Sequence, residues 1–156
     1  KQIMLLLVLA INCVSSQKCK VGWELFGESC YSFCQETVTW IDAVQYCQLD
    51  DAHLVHINDP KEYDFLVNSM KSRSITVAWT GGSERLHRGS WEWLPRGGLF
   101  GKYEKWFGTE PAGPDEDCLA IDQGHSYQWM DMSCTLSYKY ICEMKVPVAT
   151  ENITKG

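Results

Sequence analysis

"FGTEPAGPDEDC", Phe107 to Cys118, gathers Glu110, Asp115, Glu116 and Asp117 around two prolines and two glycines, directly before a cysteine. Carboxylates this close repel one another unless a cation, a base or water stands between them. After Glu110-Pro111, where one more oxygen ligand would help complete a cation cradle, the residue is Ala112. The stretch reads as a metal-binding loop, as the remnant of one, or as an acidic surface loop. Its surroundings decide.

Upstream, two helices are expected. In "VTWIDAVQYCQLD", Thr39 is an N-cap, and Trp40, Ile41, Val44 and Cys47 form one helical face with a cysteine on its buried side. In "NDPKEYDFLVNSM", Asp59 caps, Pro60 takes the first helical position and Glu62 completes a capping box, with Phe65, Leu66 and Met70 as the buried stripe. The pattern then changes to short β-like runs, "ITVAW", "SWEWL", "CLAI", "QWMDM" and "YKYICE", joined by Gly- and Pro-rich connections. Between the second and third of these lies a long irregular segment, Pro95 to Asp117. A loop of that length in a small domain is functional or disordered. The fold class is α+β.

The chain has 156 residues and is 45% apolar, enough for one domain with a real core. Its net charge of −6 and pI near 5.1 exclude the basic patches that nucleic acid or anionic membranes select. The apolar run Ile3–Ile11, followed by small residues, reads as a secretory signal peptide over 1–16, too short for a membrane span. The expected domain follows over 17–144, with a flexible tail at 145–156. That tail is too polar for a lipid-anchor signal and carries an N-glycosylation acceptor at Asn152. A secreted, extracellular protein is expected.

There are 8 cysteines, at 13, 19, 30, 34, 47, 118, 134 and 142. Cys13 falls in the leader, which leaves an odd number. None shows zinc spacing, so the economical reading is a disulfide framework with one thiol over. Catalytic motifs are missing: there is no Gly-x-Ser-x-Gly elbow, HExxH helix or phosphate-cradling loop. His53 and His56, three apart in an extended stretch, are expected to point to opposite faces, and His87 to lie on the surface. Glu110 and Glu116 share one loop and do not frame a cleft as glycosidase carboxylates do. No enzyme is expected.

Together "GWELFGESCYSF", "TWIDAVQYC", "AHLVHI", "WTGG", "WEW", "EPA", "EDC", "QWMDMSC" and "YICE" resemble a C-type lectin-like domain, from Cys19 to Glu143. "WTGG" departs mildly from the family's Trp-Ile-Gly-Leu. The resemblance implies a double-loop fold of the long form, with an N-terminal hairpin. It also implies the disulfides Cys19–Cys30, Cys47–Cys142 and Cys118–Cys134, and leaves Cys34 unpaired. In "CYSFCQ", alternation puts Tyr31 and Phe33 on one face and Ser32 and Cys34 on the other. If the aromatics face the core, Cys34 is near the surface, where it links two chains or remains a shielded thiol. Both readings stay open.

In sugar-binding members, one calcium ion is held by the Glu and Asn of Glu-Pro-Asn, a Glu two places before the loop cysteine, and the Asn and Asp of Trp-Asn-Asp. Matched here are Glu110, Glu116 and Asp131; Ala112 and Met130 stand in the asparagine positions. Each change removes one calcium oxygen and one donor to a sugar hydroxyl. The auxiliary calcium positions hold Glu84, but Arg88 and Gly113 replace acids there, and Arg88 is placed to neutralise Glu116 or Asp117. The resemblance therefore implies a weak or absent calcium site and no other cofactor. Tyr103, His125 and Tyr127 are further sugar-binding candidates, as loop residues with a ring face and a polar tip. Trp79, Trp91, Trp93, Trp106 and Trp129 are assigned to the core. The expected function is a carbohydrate-binding recognition module, calcium-independent and innate-immune, with glycans or glycoconjugates as partners. The alternative is a non-sugar member that acts in protein, mineral or matrix interaction.

Overall fold

The computed structural model describes residues 19–95 and 98–147. The expected leader, Cys13 and Asn152 lie outside them. Among the described residues no helix is long and apolar enough to cross a membrane.

Two helices form where the caps predict. Thr39 caps α1 (Trp40–Leu49), its hydroxyl accepting from the Asp42 amide, and Asp59 caps α2 (Pro60–Ser72), accepting from the amides of Lys61 and Glu62. Such caps satisfy N–H groups that the first helical turn leaves unpaired. The capping box needs a correction. Glu62 does not return to the Asp59 amide; its carboxylate accepts from the Asn58 amide and from the Tyr31 hydroxyl at 2.7 Å. The side chain is buried, and Tyr31 competes for it.

The strands are β1 (Glu24–Phe26), β2 (Ser29–Val38), β3 (His53–Leu54), β4 (Val77–Ser83), β5 (Glu92–Trp93), β6 (Gly98–Leu99), β7 (Cys118–Asp122), β8 (Gln128–Met132) and β9 (Tyr138–Lys145). All five β-like runs of the sequence appear. The main sheet path is β1-β2-β9-β4-β5-β6, with β3 on β9 and the β7–β8 hairpin on β4. Pairing is antiparallel except between β4 and β9. The segment expected to be irregular throughout contributes β6, a two-residue strand on β5.

Alternation along the strands divides the interior in two. Ala78, Leu119, Ile121 and Ile141 face α2 with Tyr63, Leu66 and Met70. Trp79, Ala120, Tyr140 and Cys142 face α1 with Trp40, Ala43 and Cys47. Tyr31 and Phe33 pack against Phe65 of α2, and Cys34, on the opposite face, packs against the α1 cluster. The Cys34 thiol is half-buried, and burial pushes its pKa up.

Cys47–Cys142 ties α1 to β9, Cys118–Cys134 closes the β7–β8 region, and Cys19–Cys30 staples the N-terminal hairpin. In "WTGG", the Trp79 indole donates to the Val38 carbonyl at 3.0 Å, and Gly81 admits two backbones. A Cβ on Gly81 would stand 2.8 Å from the Leu54 carbonyl oxygen and 3.0 Å from that of Leu94. His53 and His56 do not diverge: their rings stack with centroids 4.1 Å apart. β3 ends at Leu54, so the strict two-residue alternation stops before His56.

Candidate functional site

The long segment is anchored first through aromatic packing. Trp129 of β8 is fully buried, ringed by Trp93, Phe100, Tyr103 and Trp106 with centroids 5.5–5.8 Å from its own. Its amide donates to the Lys105 carbonyl at 2.8 Å, and its carbonyl accepts from the Phe107 amide at 3.0 Å. Residues 105–107 are therefore held to β8 by backbone bonds. Trp79, Trp93 and Trp129 are core as expected, while Trp91 and Trp106 are partly buried against it.

From that anchor the loop turns over Asp131. Glu110 and Pro111 are joined by a cis peptide. Asp131 is 3% exposed, and its Oδ2 accepts from the backbone amides of Ala112 at 2.9 Å and Gly113 at 3.0 Å; its Oδ1 is buried and has no partner among the described residues. Desolvation and the neighbouring Asp131 carboxylate push the Glu110 carboxyl up, with a smaller push from Glu116. The Glu116 side chain lies against Gly113, in the space that a side chain at that position would take. Glu110 is thus close enough to feel the Asp131 carboxylate and, more weakly, that of Glu116.

On the far side Arg88 spans the loop. It donates to the Pro114 carbonyl at 2.5 Å and lies 3.8 Å from the Asp117 carboxylate. The partner is Asp117, one of the two acids expected. Glu84 is engaged within its own turn, accepting from the Gly89 amide at 2.6 Å. Glu84, Arg88, Trp91, Ala112, Gly113 and Asp131 line an open cavity of about 350 Å³.

These residues do not fit a resident calcium ion, which takes about 6–8 oxygens. Ala112 and Met130 supply no side-chain oxygen, and one Asp131 oxygen already serves two loop amides. Arg88 supplies positive charge where an auxiliary acid would be needed. Among the described residues no three His, Cys, Asp or Glu side chains assemble into a metal-holding group. Protein donors hold the loop in the manner a cation would.

Tyr103, His125 and Tyr127 belong to a different place. Asp122 accepts from the Gly124 amide at 2.8 Å and pairs with His125 Nδ1 at 2.6 Å, which shapes the tip of the β7–β8 hairpin. Ser126 and Tyr127 follow in the left-handed region, with φ of 59° and 61°. Such backbone is costly for a bulky residue, about 1–2 kcal/mol, and persists only where its surroundings hold it. Here the Tyr127 amide donates to the Asp122 carbonyl at 2.7 Å, and the Tyr127 carbonyl accepts from the Tyr63 hydroxyl at 2.8 Å. Tyr127 lies roughly 13 Å along β8 from Asp131. The candidates therefore form two groups, the carboxylates where the long loop meets β8, and the aromatic group of His125 and Tyr127 at the hairpin tip with Tyr103 against Tyr63 and Trp129.

Sequence reasoning missed the companions of the second group. Tyr63 and Lys71 are on α2, and Lys71 Nζ lies 5.1 Å from the Tyr127 ring centre; Lys105 Nζ lies 5.9 Å from that of Tyr63. Phe107, 39% exposed, meets His125 edge-on. An exposed aromatic in a loop was the one signal available.

The family model described as "Lectin C-type domain" matches residues 36–144. Asialoglycoprotein receptor 2 of Mus musculus is 38% identical over 135 residues, covering 81% of this chain and 42% of the receptor. The chain thus spans less than half the length of that relative. Among solved structures, the mouse scavenger receptor C-type lectin carbohydrate-recognition domain is similar with a TM-score of 0.75 at 28% identity, covering 83% of this chain and all of that one. A calcium-independent type II antifreeze protein is similar with a TM-score of 0.73 at 26% identity, covering 83% of this chain and 96% of its own.

Proposed function

The chain belongs to the C-type lectin domain family, and from that premise we propose that it is an extracellular carbohydrate-binding recognition module whose long-loop site works without resident calcium. The family is one of non-enzymatic binding proteins. One observation carries the proposal: Asp131 and Arg88 line an open cavity, Glu110 lies close enough to feel the Asp131 and Glu116 carboxylates, and Arg88 and the loop's own amides supply the positive groups. Glu116 and the free edge of Glu110 are acceptors for sugar hydroxyls, Arg88 is a donor, and Trp91 offers a ring face to a pyranose. Three disulfides suit an oxidising, extracellular compartment. Recognition of glycans on foreign or self surfaces in innate immunity is the role that fits such a module.

A glycan array run with and without chelator tests this. Binding that survives chelation is expected; binding abolished by chelation overturns the calcium-free reading. If no glycan binds, the second reading takes over, a non-sugar member acting in protein, mineral or matrix contact. The similarity to a calcium-independent antifreeze protein favours that second reading. For Cys34, burial supports the shielded thiol over the intermolecular disulfide. A dimer band on a non-reducing gel, lost on reduction, reverses that choice.

A further inference from the structure

We propose that the cleft between the start of α1 and the loop at residues 85–95 holds the alkyl chain of an amphiphile, and that the cavity adjoining it holds an uncharged sugar head. The two cavities share Ile41 and Arg85, and neither shares a lining residue with the cavity beside Asp131. The site is therefore separate from the long-loop site and does not rest on the reading given to it.

Trp40, Ile41, Val44, Leu86, Leu94 and Pro95 line the first cavity, of about 400 Å³, and Arg85 is the one charged side chain in its lining. Its floor is fixed. The buried Trp40 indole donates to the Thr80 carbonyl at 2.8 Å, and the Leu94 amide donates to the Gly81 carbonyl at 2.8 Å. Its rim is uncovered, with Ile41 46% and Leu86 62% exposed. A preformed apolar cleft of this size suits a small ligand. A peptide would bring backbone N–H and C=O groups against a lining that offers them few partners, whereas an alkyl chain brings none.

The second cavity, of about 340 Å³, chooses the head. Besides the shared pair it is lined by Thr39, Asp115, Asp117, Ser133 and Thr135. Asp117 lies 3.8 Å from Arg88, which leaves Arg85 and Asp115, neither of them in an ion pair among the described residues. Asp42 does not line the cavity and is turned to the Thr39 hydroxyl at 2.5 Å. An anionic head would therefore meet two carboxylates, and a cationic head would meet Arg85. An uncharged polyol meets donors and acceptors together. Asp115 accepts, Arg85 donates, and the Ser133 and Thr135 hydroxyls, 3.0 Å apart, keep one free hydrogen between them. The Arg85 stem suits the apolar cleft and its guanidinium the polar cavity. The space takes a sugar ring, where glycerol would leave much of it empty.

The test titrates the full chain, below micelle formation, with hexyl, heptyl and octyl glucoside, and with octanoate and 1-octylglycerol as comparison probes. Affinity is expected to rise about fourfold for each added methylene, the factor for burying one such group. Ile41→Ser with Leu86→Ser should flatten that rise, and unaltered thermal melts establish that the variant folds. Leu99→Ser, at an exposed leucine outside the cleft, should keep it. Arg85→Gln should weaken all three glucosides by a common factor, about threefold, and leave the rise intact. No rise with chain length in the wild type overturns the site, as does an unchanged rise in the double variant or a flattened one in Leu99→Ser. Octanoate binding as tightly as octyl glucoside overturns the uncharged head, and 1-octylglycerol binding as tightly overturns the sugar. Binding of free glycans reports the long-loop site and involves neither Ile41 nor Leu86, so each reading fails separately.

Discussion

The Asp131 carboxylate lies 2.9 Å from the backbone nitrogen of Ala112, the residue whose side chain leaves the gap in the long loop. Two backbone donors thus share one oxygen of the carboxylate that aligns with the family's calcium ligand. Asp131→Ala removes the shared acceptor of two amides. It is expected to destabilise by about 3 kcal/mol, since each is a hydrogen bond to a charged group. Urea denaturation measures this, and a change below about 0.5 kcal/mol would show that the loop is held elsewhere.

Restoring the missing oxygens tests the ligand mapping. The wild type should show no rise in melting temperature with millimolar calcium. Ala112→Asn with Met130→Asn should show one, because a ligand that binds only the folded state stabilises it by mass action. Identical melts for both proteins would mean that these positions do not face a common ion.

His56 makes stability depend on pH. Burial and the stacked His53 lower its pKa from 6.5 to about 4. Between those values the unfolded chain binds the proton and the folded chain does not, so stability falls as pH drops from 6.5 towards 4, by up to about 3 kcal/mol. Glu62, raised by burial, acts in the opposite sense in the carboxylate range. The comparison is therefore with His56→Gln, which keeps a donor for the Leu94 carbonyl, 2.9 Å from the His56 ring, and should flatten the slope. Parallel pH profiles for the two proteins would refute the assignment.

The disulfides should rank by the loops they close. Cys47–Cys142 spans 95 residues and Cys19–Cys30 spans 11. In the chain-entropy picture, replacing each pair with alanine costs about 4.7 and about 2.8 kcal/mol. Non-reducing urea melts of the two double variants give the order, and the reverse order would show that native contacts around Cys19 outweigh loop entropy.

Gly81→Ala should be among the most damaging single changes. The added carbon would press on backbone oxygens of Leu54 and Leu94, which cannot rotate away as a side chain can. A loss of about 2–3 kcal/mol or failure to fold is expected, as for overpacked cores. Gly101→Ala, with open space at its Cβ, is the matched control.

Much of this was legible in the sequence because it is local. Thr39 and Asp59 cap helices through amides two or three residues away, and period-two runs such as "QWMDM" become strands wherever one face is buried. The ligand gaps at Ala112 and Met130 were likewise readable from the motifs that flank them. What the sequence could not carry is which distant groups meet. Glu62 satisfies Asn58 and the remote Tyr31 instead of its own helix start, and Cys34 lies under α1 because the sheet is covered on both faces. His53 stacks on His56 because β3 ends early. Lys71 of α2 reaches Tyr127 at the hairpin tip only because α2 packs across that end of the sheet. Local rules set backbone conformation over a few residues. Burial, charge and the partners of each side chain depend on elements distant in sequence, and only the folded chain brings those together.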